Sequence, residues 1–460
     1  MITLAIIWSQ VGLQIAYLLL SLSILVILHE FGHYITAKWF KCRVEKFFLF
    51  FDPWFSIAKK KIGETEYGIG WLPLGGYVKI SGMVDESMDK EAMKLPPKPW
   101  EFRSKPAWQR LIIMLGGIIM NVLLAFFIYA MILYAWGEKK LPVANAKYGI
   151  WVTDSLMSQM GLKNGDKILA VNDEPVKYFN DLPAKILLGN KVTLDRNGQT
   201  VNLDLPVNFI EQLVEKKGKR SDLIIPRVPL IIGSYTEADS NSTAKKAGLQ
   251  GMDKIVAIDG IQVQFFDEVI PMLQQKKNDS VTFSLVRNDQ ALDKKVLVNP
   301  EGKVGLSILN DDQYDSLGIL KHETKTYTFF SSFPAGVKKT GEKLNFYIQQ
   351  FKLILNPKTG AYKGLSGFKG MASVFPKSGW DWEAFWNITA FFSIVLAFMN
   401  LLPIPALDGG HVLFTLIEMI TGKKPSDKFL EYAQIAGMIF LLGLMVFANA
   451  NDWLGWGRGH

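Results

Sequence analysis

Four stretches of this chain are long, apolar and almost free of charge: residues 11–37, 108–136, 385–421 and 430–449. Each is long enough to cross about 30 Å of hydrocarbon as a helix. In lipid only a helix or a closed barrel satisfies every backbone donor and acceptor internally. The pattern predicts a polytopic α-helical membrane protein with four transmembrane helices, whose first partner is the lipid bilayer. A hydrophobic fraction of 49% is ordinary for a water-soluble protein, so the membrane signal lies in how the apolar residues are grouped and not in their number.

Basic residues crowd the ends of these runs. Lys38, Lys41, Arg43, Lys46 and Lys59 to Lys61 follow the first, Arg103, Lys105 and Arg110 lie at the second, and Lys423, Lys424 and Lys428 separate the third from the fourth. By the positive-inside rule, segments 38–107 and 422–429 face the cytoplasm, while both termini and 137–384 face outward. The lysines of 137–384 do not reverse this, because long domains are translocated largely regardless of charge. A net charge of +8 arranged beside apolar runs speaks for a membrane protein and against a nucleic-acid partner. Cys42 is the only cysteine, so no internal disulfide is available. The N-terminal MITLAIIWSQ lacks the basic region and cleavage site of a secretory signal, and the first span is expected to be retained.

Between the first two spans, segment 38–107 carries the aromatic run FFLFFDPWF and then EYGIGWLPLGGYVKISGM at 66–83, where glycines and β-formers alternate as in a hairpin or short sheet. This is either a small cytoplasmic or membrane-reentrant β element, or a strand edge able to accept an extended peptide through its backbone. The outward segment contains a repeat: GLKNGDKILAVNDEPVKYFNDL at 161–182 returns as GLQGMDKIVAIDGIQVQFFDEV at 248–269. Self-similarity at this length argues for duplicated modules, over 137–222 and 223–310. Both copies resemble the signature of PDZ domains, with Met252 standing where the pattern has glycine. In the following segment, 311–384, Leu344, Tyr347, Ile348, Phe351, Ile354 and Leu355 recur at helical spacing. An amphipathic helix over 337–355 is expected, packed against the PDZ-like pair or lying on the outer membrane surface.

Ionisable side chains in hydrocarbon cost several kcal/mol each (roughly 3 by insertion scales), so they mark working sites. The first span contains His29, Glu30 and His33 as H-E-x-x-H. Residues four apart share a helix face, so both imidazoles can reach one ion while Glu30 addresses a water beside it. Zinc suits nitrogen ligands in a tetrahedral site with one open position. The plainer reading is a polar cluster that lines a water cavity or binds another helix. For a third ligand, the extended metzincin pattern fails at Thr36 and Trp39, and Glu45, Glu64 and Glu66 lie beyond the membrane edge. The better candidate is NLLPIPALDGGH at 400–411, where Pro403 and Pro405 break the third span and bring Asp408 into the membrane interior. Irregular backbone at that depth is tolerated only around an enclosed site. His411 and Glu418 remain rival ligands, and His322 and His460 read as surface residues.

H-E-x-x-H in the first span together with N-x-x-P-x-x-x-L-D-G in the third resembles the site-2 protease family of intramembrane zinc metalloproteases. The four spans, the glycine-rich strand and the paired PDZ-like modules narrow the resemblance to a branch of that family in Gram-negative bacteria. It implies that His29, His33 and Asp408 hold zinc, that Glu30 is the general base, and that Asn400 hydrogen-bonds the substrate backbone or the developing oxyanion. It further implies that the strand around Gly75, Gly76, Tyr77, Val78 and Lys79 pairs with an extended substrate. The PDZ-like pair would be a periplasmic gate admitting only substrates already trimmed outside. The substrates would be single-span membrane proteins of the anti-sigma factor type, with signal-peptide remnants as a second class, cut in regulated intramembrane proteolysis at the inner membrane. LSGFKG at 365–370 departs from relatives that carry proline after Ser-Gly. A reading of another class is a non-enzymatic receptor whose PDZ-like modules bind envelope peptides while a zinc closed by His411 as fourth ligand staples helices. A di-iron desaturase needs many more histidines than the five present.

Overall fold

The computed structural model describes residues 2–73, 75–83, 96–216, 222–235 and 242–455. The chain divides into two compact units, Met1–Gly137 with Thr326–His460, and Glu138–Lys325. His460 lies outside the described residues.

The longer helices of the first unit are α1 (Ile2–Trp39), α2 (Ala107–Ala135), α3 (Phe329–Leu355), α4 (Trp382–Leu401), α5 (Asp408–Thr421) and α6 (Asp427–Leu454). Four contain stretches long and apolar enough to span a membrane: Ser9–Trp39, Ala107–Ala135, Trp382–Leu401 and Lys428–Leu454. The third span, expected to run to 421, stops at Leu401, and a new helix starts at Asp408. Pro403 and Pro405 lack the N–H a continuing helix requires, and Ala406 takes a positive φ of 78° between them and α5.

Glycines set how closely α1 meets α2. A Cβ on Gly32 would lie 2.2 Å from the Gly116 carbonyl oxygen, and one on Gly116 would lie 2.5 Å from that of Gly32, so the backbones touch where a larger residue would hold them apart. Between α1 and α2, four strands form one sheet: β1 (Val44–Leu49), β2 (Phe51–Ile62), β3 (Thr65–Leu72) and β4 (Tyr77–Ile80), in the order β2-β3-β1-β4. β3 is paired on both sides, whereas β4 is an edge strand held antiparallel to β1 through Phe47–Val78 and Phe48–Tyr77. Of the 66–83 stretch, therefore, only the β4 end can accept another strand.

The amphipathic helix is longer than 337–355 and lies along α2 and α4. Ser332, Gly336 and Thr340 are buried at four-residue spacing. A Cβ on Gly336 would meet the Ala130 backbone at 2.8 Å, and further along Tyr347 and Phe351 pack edge-on against Phe398. Leu344, Tyr347 and Phe351 of the expected stripe thus pack on α2 and α4.

In the second unit the repeat yields the same local structure twice. β6 (Lys167–Val171) and β7 (Glu174–Pro175) join β8 (Lys191–Arg196) and β9 (Gln199–Asp204) in the order β9-β8-β6-β7. β10 (Lys254–Ile258), β11 (Ile261–Gln262), β12 (Ser280–Arg287) and β13 (Gln290–Leu297) repeat it as β11-β10-β12-β13. Each copy buries the aspartate of its motif against an arginine from a later strand. Asp166 meets Arg196 at 2.7 Å and Asp253 meets Arg287 at 2.7 Å, and the same arginines donate to the carbonyls of Gly161 and Gly248. His322 is not the surface residue expected: its side chain is 6% exposed and its Nδ1 lies 2.7 Å from Asp315.

Candidate metal centre

Three elements bring the ionisable residues together. α1 presents His29 and His33 on one face, as four-residue spacing requires. α5 begins at Asp408, so the carboxylate sits on the first helical residue after the break. Gly409 and Gly410 allow that first turn to tuck beneath the broken end of α4: a Cβ on Gly409 would lie 2.1 Å from the Leu402 oxygen, and one on Gly410 2.7 Å from that of Ile404. Gly437 of α6 supports the break from the other side, against the Pro405 carbonyl.

His29 Nε2 and His33 Nε2 are 3.3 Å apart, and Asp408 Oδ2 lies 3.1 Å from the first and 3.2 Å from the second. Two ligand atoms each about 2.0–2.2 Å from a tetrahedral ion stand roughly 3.3–3.5 Å apart, so this near-equilateral triangle matches one face of a zinc tetrahedron. Asp408 Oδ2 is buried and has no hydrogen-bond partner among the described residues. A buried anionic oxygen without a partner is costly, and a cation at the centre of the triangle removes the cost. Among the described residues these are the only three acidic, histidine or cysteine side chains grouped tightly enough for one ion. The ring of His33 is fixed from behind, its Nδ1 lying 2.9 Å from the Ile113 carbonyl oxygen.

The two rival ligands are placed differently. Glu418 is ion-paired to Arg110, and His411 stands outside the triad while lining the same cavity. That cavity, of about 720 Å³, is lined by Glu30 and the triad, by Gly76 just before the edge strand, and by Tyr77, Val78 and Lys79 within it. Val78 and Glu30 face each other across this cavity. Gly75, also expected in the strand, precedes it at φ 153° against the Phe51 ring. Asn400, at the last turn of α4, reaches within 3.4 Å of His29 Nε2. Sequence reasoning missed α2 as part of the site. A Cβ on Gly117 would fall 2.4 Å from His33 Nε2 and 2.6 Å from His29 Cε1, and the pair Gly116-Gly117 inside an apolar span was the available signal.

The sequence profile described as Peptidase family M50 matches residues 17–444. The chain is 28% identical to the regulator of sigma-E protease RseP of Escherichia coli (strain K12), covering 95% of this chain and 98% of that one. It is likewise 28% identical to RseP of Salmonella typhimurium (strain 14028s), covering 98% and 99%. A relative in Treponema pallidum (strain Nichols), named as a zinc metalloprotease, is 27% identical over 94% of this chain and 96% of its own length.

Proposed function

The chain belongs to peptidase family M50, whose relatives are zinc metalloproteases, and we propose that it hydrolyses a peptide bond within the transmembrane segment of single-span proteins. The observation that carries this reading is the buried triangle of His29, His33 and Asp408, with Glu30 and an edge strand facing one cavity.

His29, His33 and Asp408 would hold the zinc. When bound, it supplies the Lewis acidity that makes water a nucleophile near neutral pH and polarises the scissile carbonyl. Glu30 accepts the proton of the attacking water and returns it to the leaving amine. Asn400 donates its amide N–H to the oxygen on which negative charge develops. The substrate must first unwind, because helical carbonyls are engaged in their own hydrogen bonds. Gly76, Tyr77, Val78 and Lys79 then receive it as an added strand along β4. Segment 38–107 faces the cytoplasm and the second unit faces the periplasm, where its PDZ-like modules admit substrates trimmed outside. Proteins of the anti-sigma factor type fit this route, in keeping with the name of the RseP relatives.

The test uses purified full-length protein and single-span fragments, with and without a chelator. Glu30→Gln is expected to keep its zinc and lose cleavage. Turnover by that variant removes Glu30 from the mechanism, and a wild-type protein free of zinc removes the reading as a whole. Cys42 is only 2% exposed, so orientation is better read from Lys60→Cys in a Cys42→Ala background. An impermeant thiol reagent outside intact cells should leave Lys60→Cys unlabelled.

A further inference from the structure

One face of α2 offers the two imidazoles three different things at four-residue intervals: a backbone carbonyl at Ile113, empty space at Gly117 and a carboxamide at Asn121. The Ile113 oxygen lies 2.9 Å from His33 Nδ1. Gly117 leaves room for both rings, since its Cβ would lie 2.4 Å from one and 2.6 Å from the other. The Asn121 amide lies 3.1 Å from His29 Nδ1.

Asn121 is 0% exposed, and its Oδ1 has no hydrogen-bond partner among the described residues. Leaving a buried carboxamide oxygen unsatisfied is unfavourable. The position of the residue is itself held from α4, where the buried Ser393 hydroxyl donates to the Asn121 carbonyl at 2.8 Å. A histidine that gives Nε2 to a metal keeps its proton on Nδ1 and needs an acceptor there, usually a carboxylate or carbonyl. The Asn121 side chain meets that need when its terminal amide turns by half a revolution. Oδ1 then receives Nδ1–H, and the orphaned acceptor and the new donor satisfy each other.

We propose that Asn121 is a positioning residue for the metal, accepting Nδ1–H of His29 so that the ring holds Nε2 toward Asp408, as the Ile113 carbonyl does for His33. This rests on the assignment of His29, His33 and Asp408 as zinc ligands. Asn121 touches neither substrate nor metal and acts through His29.

The experiment compares purified full-length wild type, Asn121→Ala and Asn121→Asp in two measurements: zinc affinity by competition with a chromophoric chelator, and the visible spectrum of the cobalt(II)-substituted proteins. Loss of an outer-shell acceptor should weaken zinc binding by about 10–100-fold in Asn121→Ala and alter its cobalt bands. Asn121→Asp retains an acceptor of the same shape and should bind zinc as tightly as wild type. The proposal is overturned by an alanine variant with wild-type affinity, or by an aspartate variant that weakens binding as much as alanine does. An alanine variant that fails to fold would assign Asn121 to packing and overturn it too. Asp408→Ala separates the two layers: if it keeps wild-type zinc affinity the ligand assignment fails, whereas unchanged binding in Asn121→Ala beside a zinc-free Asp408→Ala sinks only the role of Asn121.

Discussion

Met252 occupies the turn position that Gly165 fills in the first copy of the repeat, and both have left-handed backbone, at φ 70° and 92°. A side chain there costs about 1–2 kcal/mol, and Met252 is 54% exposed, so packing returns little of it. Glycine would relieve the strain but loses about 0.5–1 kcal/mol to the entropy of the unfolded chain. Met252→Gly is therefore expected to raise the melting temperature of the second unit slightly, and Gly165→Met to lower it by a similar amount; shifts of the same sign in calorimetry would remove the argument. Asp315 makes a pH-dependent contribution in the same unit. Burial pushes its carboxyl upward, but hydrogen bonds from His322 and Lys139 outweigh this and hold it below the usual carboxylate range. A depressed folded value means that the stabilisation is present above the unfolded pKa, about 3.9, and is lost as pH falls through the lower folded value. The second unit should lose stability below about pH 4, and Asp315→Asn should flatten that part of the curve in acid-melting experiments.

At the scale of elements, α5 carries Asp408 at its first residue and Glu418 in its last turns, and Glu418 is clasped by Arg110 at the start of α2. The side chains are 9% and 19% exposed. Removing one partner of such a pair leaves a buried charge and costs about 3–5 kcal/mol, whereas replacing both by apolar groups is often neutral. Arg110→Met or Glu418→Leu alone should lower both thermal stability and zinc retention. The double variant should recover most of each; if it behaves as the sum of the two, the clasp does not hold α5. This pair also shows where the sequence runs out. The spans and the break at Pro403 and Pro405 are local facts, legible in apolar runs and missing N–H groups. That Glu418 belongs to Arg110, that α3 lies along α2 and α4, and that His322 is buried against Asp315 are choices among distant partners, which no period or motif encodes. Even the edge position of β4, which decides where an extended peptide can add, follows from the parallel pairing of β1 with β3, invisible in the local alternation of residues 66–83.

For the whole molecule, the second unit begins and ends on one small ribbon, β5 (Glu138–Lys140) paired antiparallel with β14 (Glu323–Lys325) through Lys140–Glu323 and Glu138–Lys325. Its entry and exit therefore lie side by side, and its buried clusters draw only on its own residues, from Leu141 to Leu320. The ligand triad of His29, His33 and Asp408 and the α2 residues beside it, Ile113, Gly117 and Asn121, lie wholly in the other unit. An insertion with adjacent ends can be replaced by a short glycine linker at small entropic cost, because closure entropy grows only slowly with loop length. Replacing 138–325 in this way should leave zinc affinity and the thermal transition of the remaining unit unchanged. If the second unit is the proposed gate, the shortened enzyme should cut pre-trimmed fragments at the full-length rate and also cut untrimmed ones that the full chain refuses. Continued refusal of untrimmed fragments would place the discrimination in the membrane unit, in the cavity beside β4, and loss of zinc on excision would show that the two units do not fold independently.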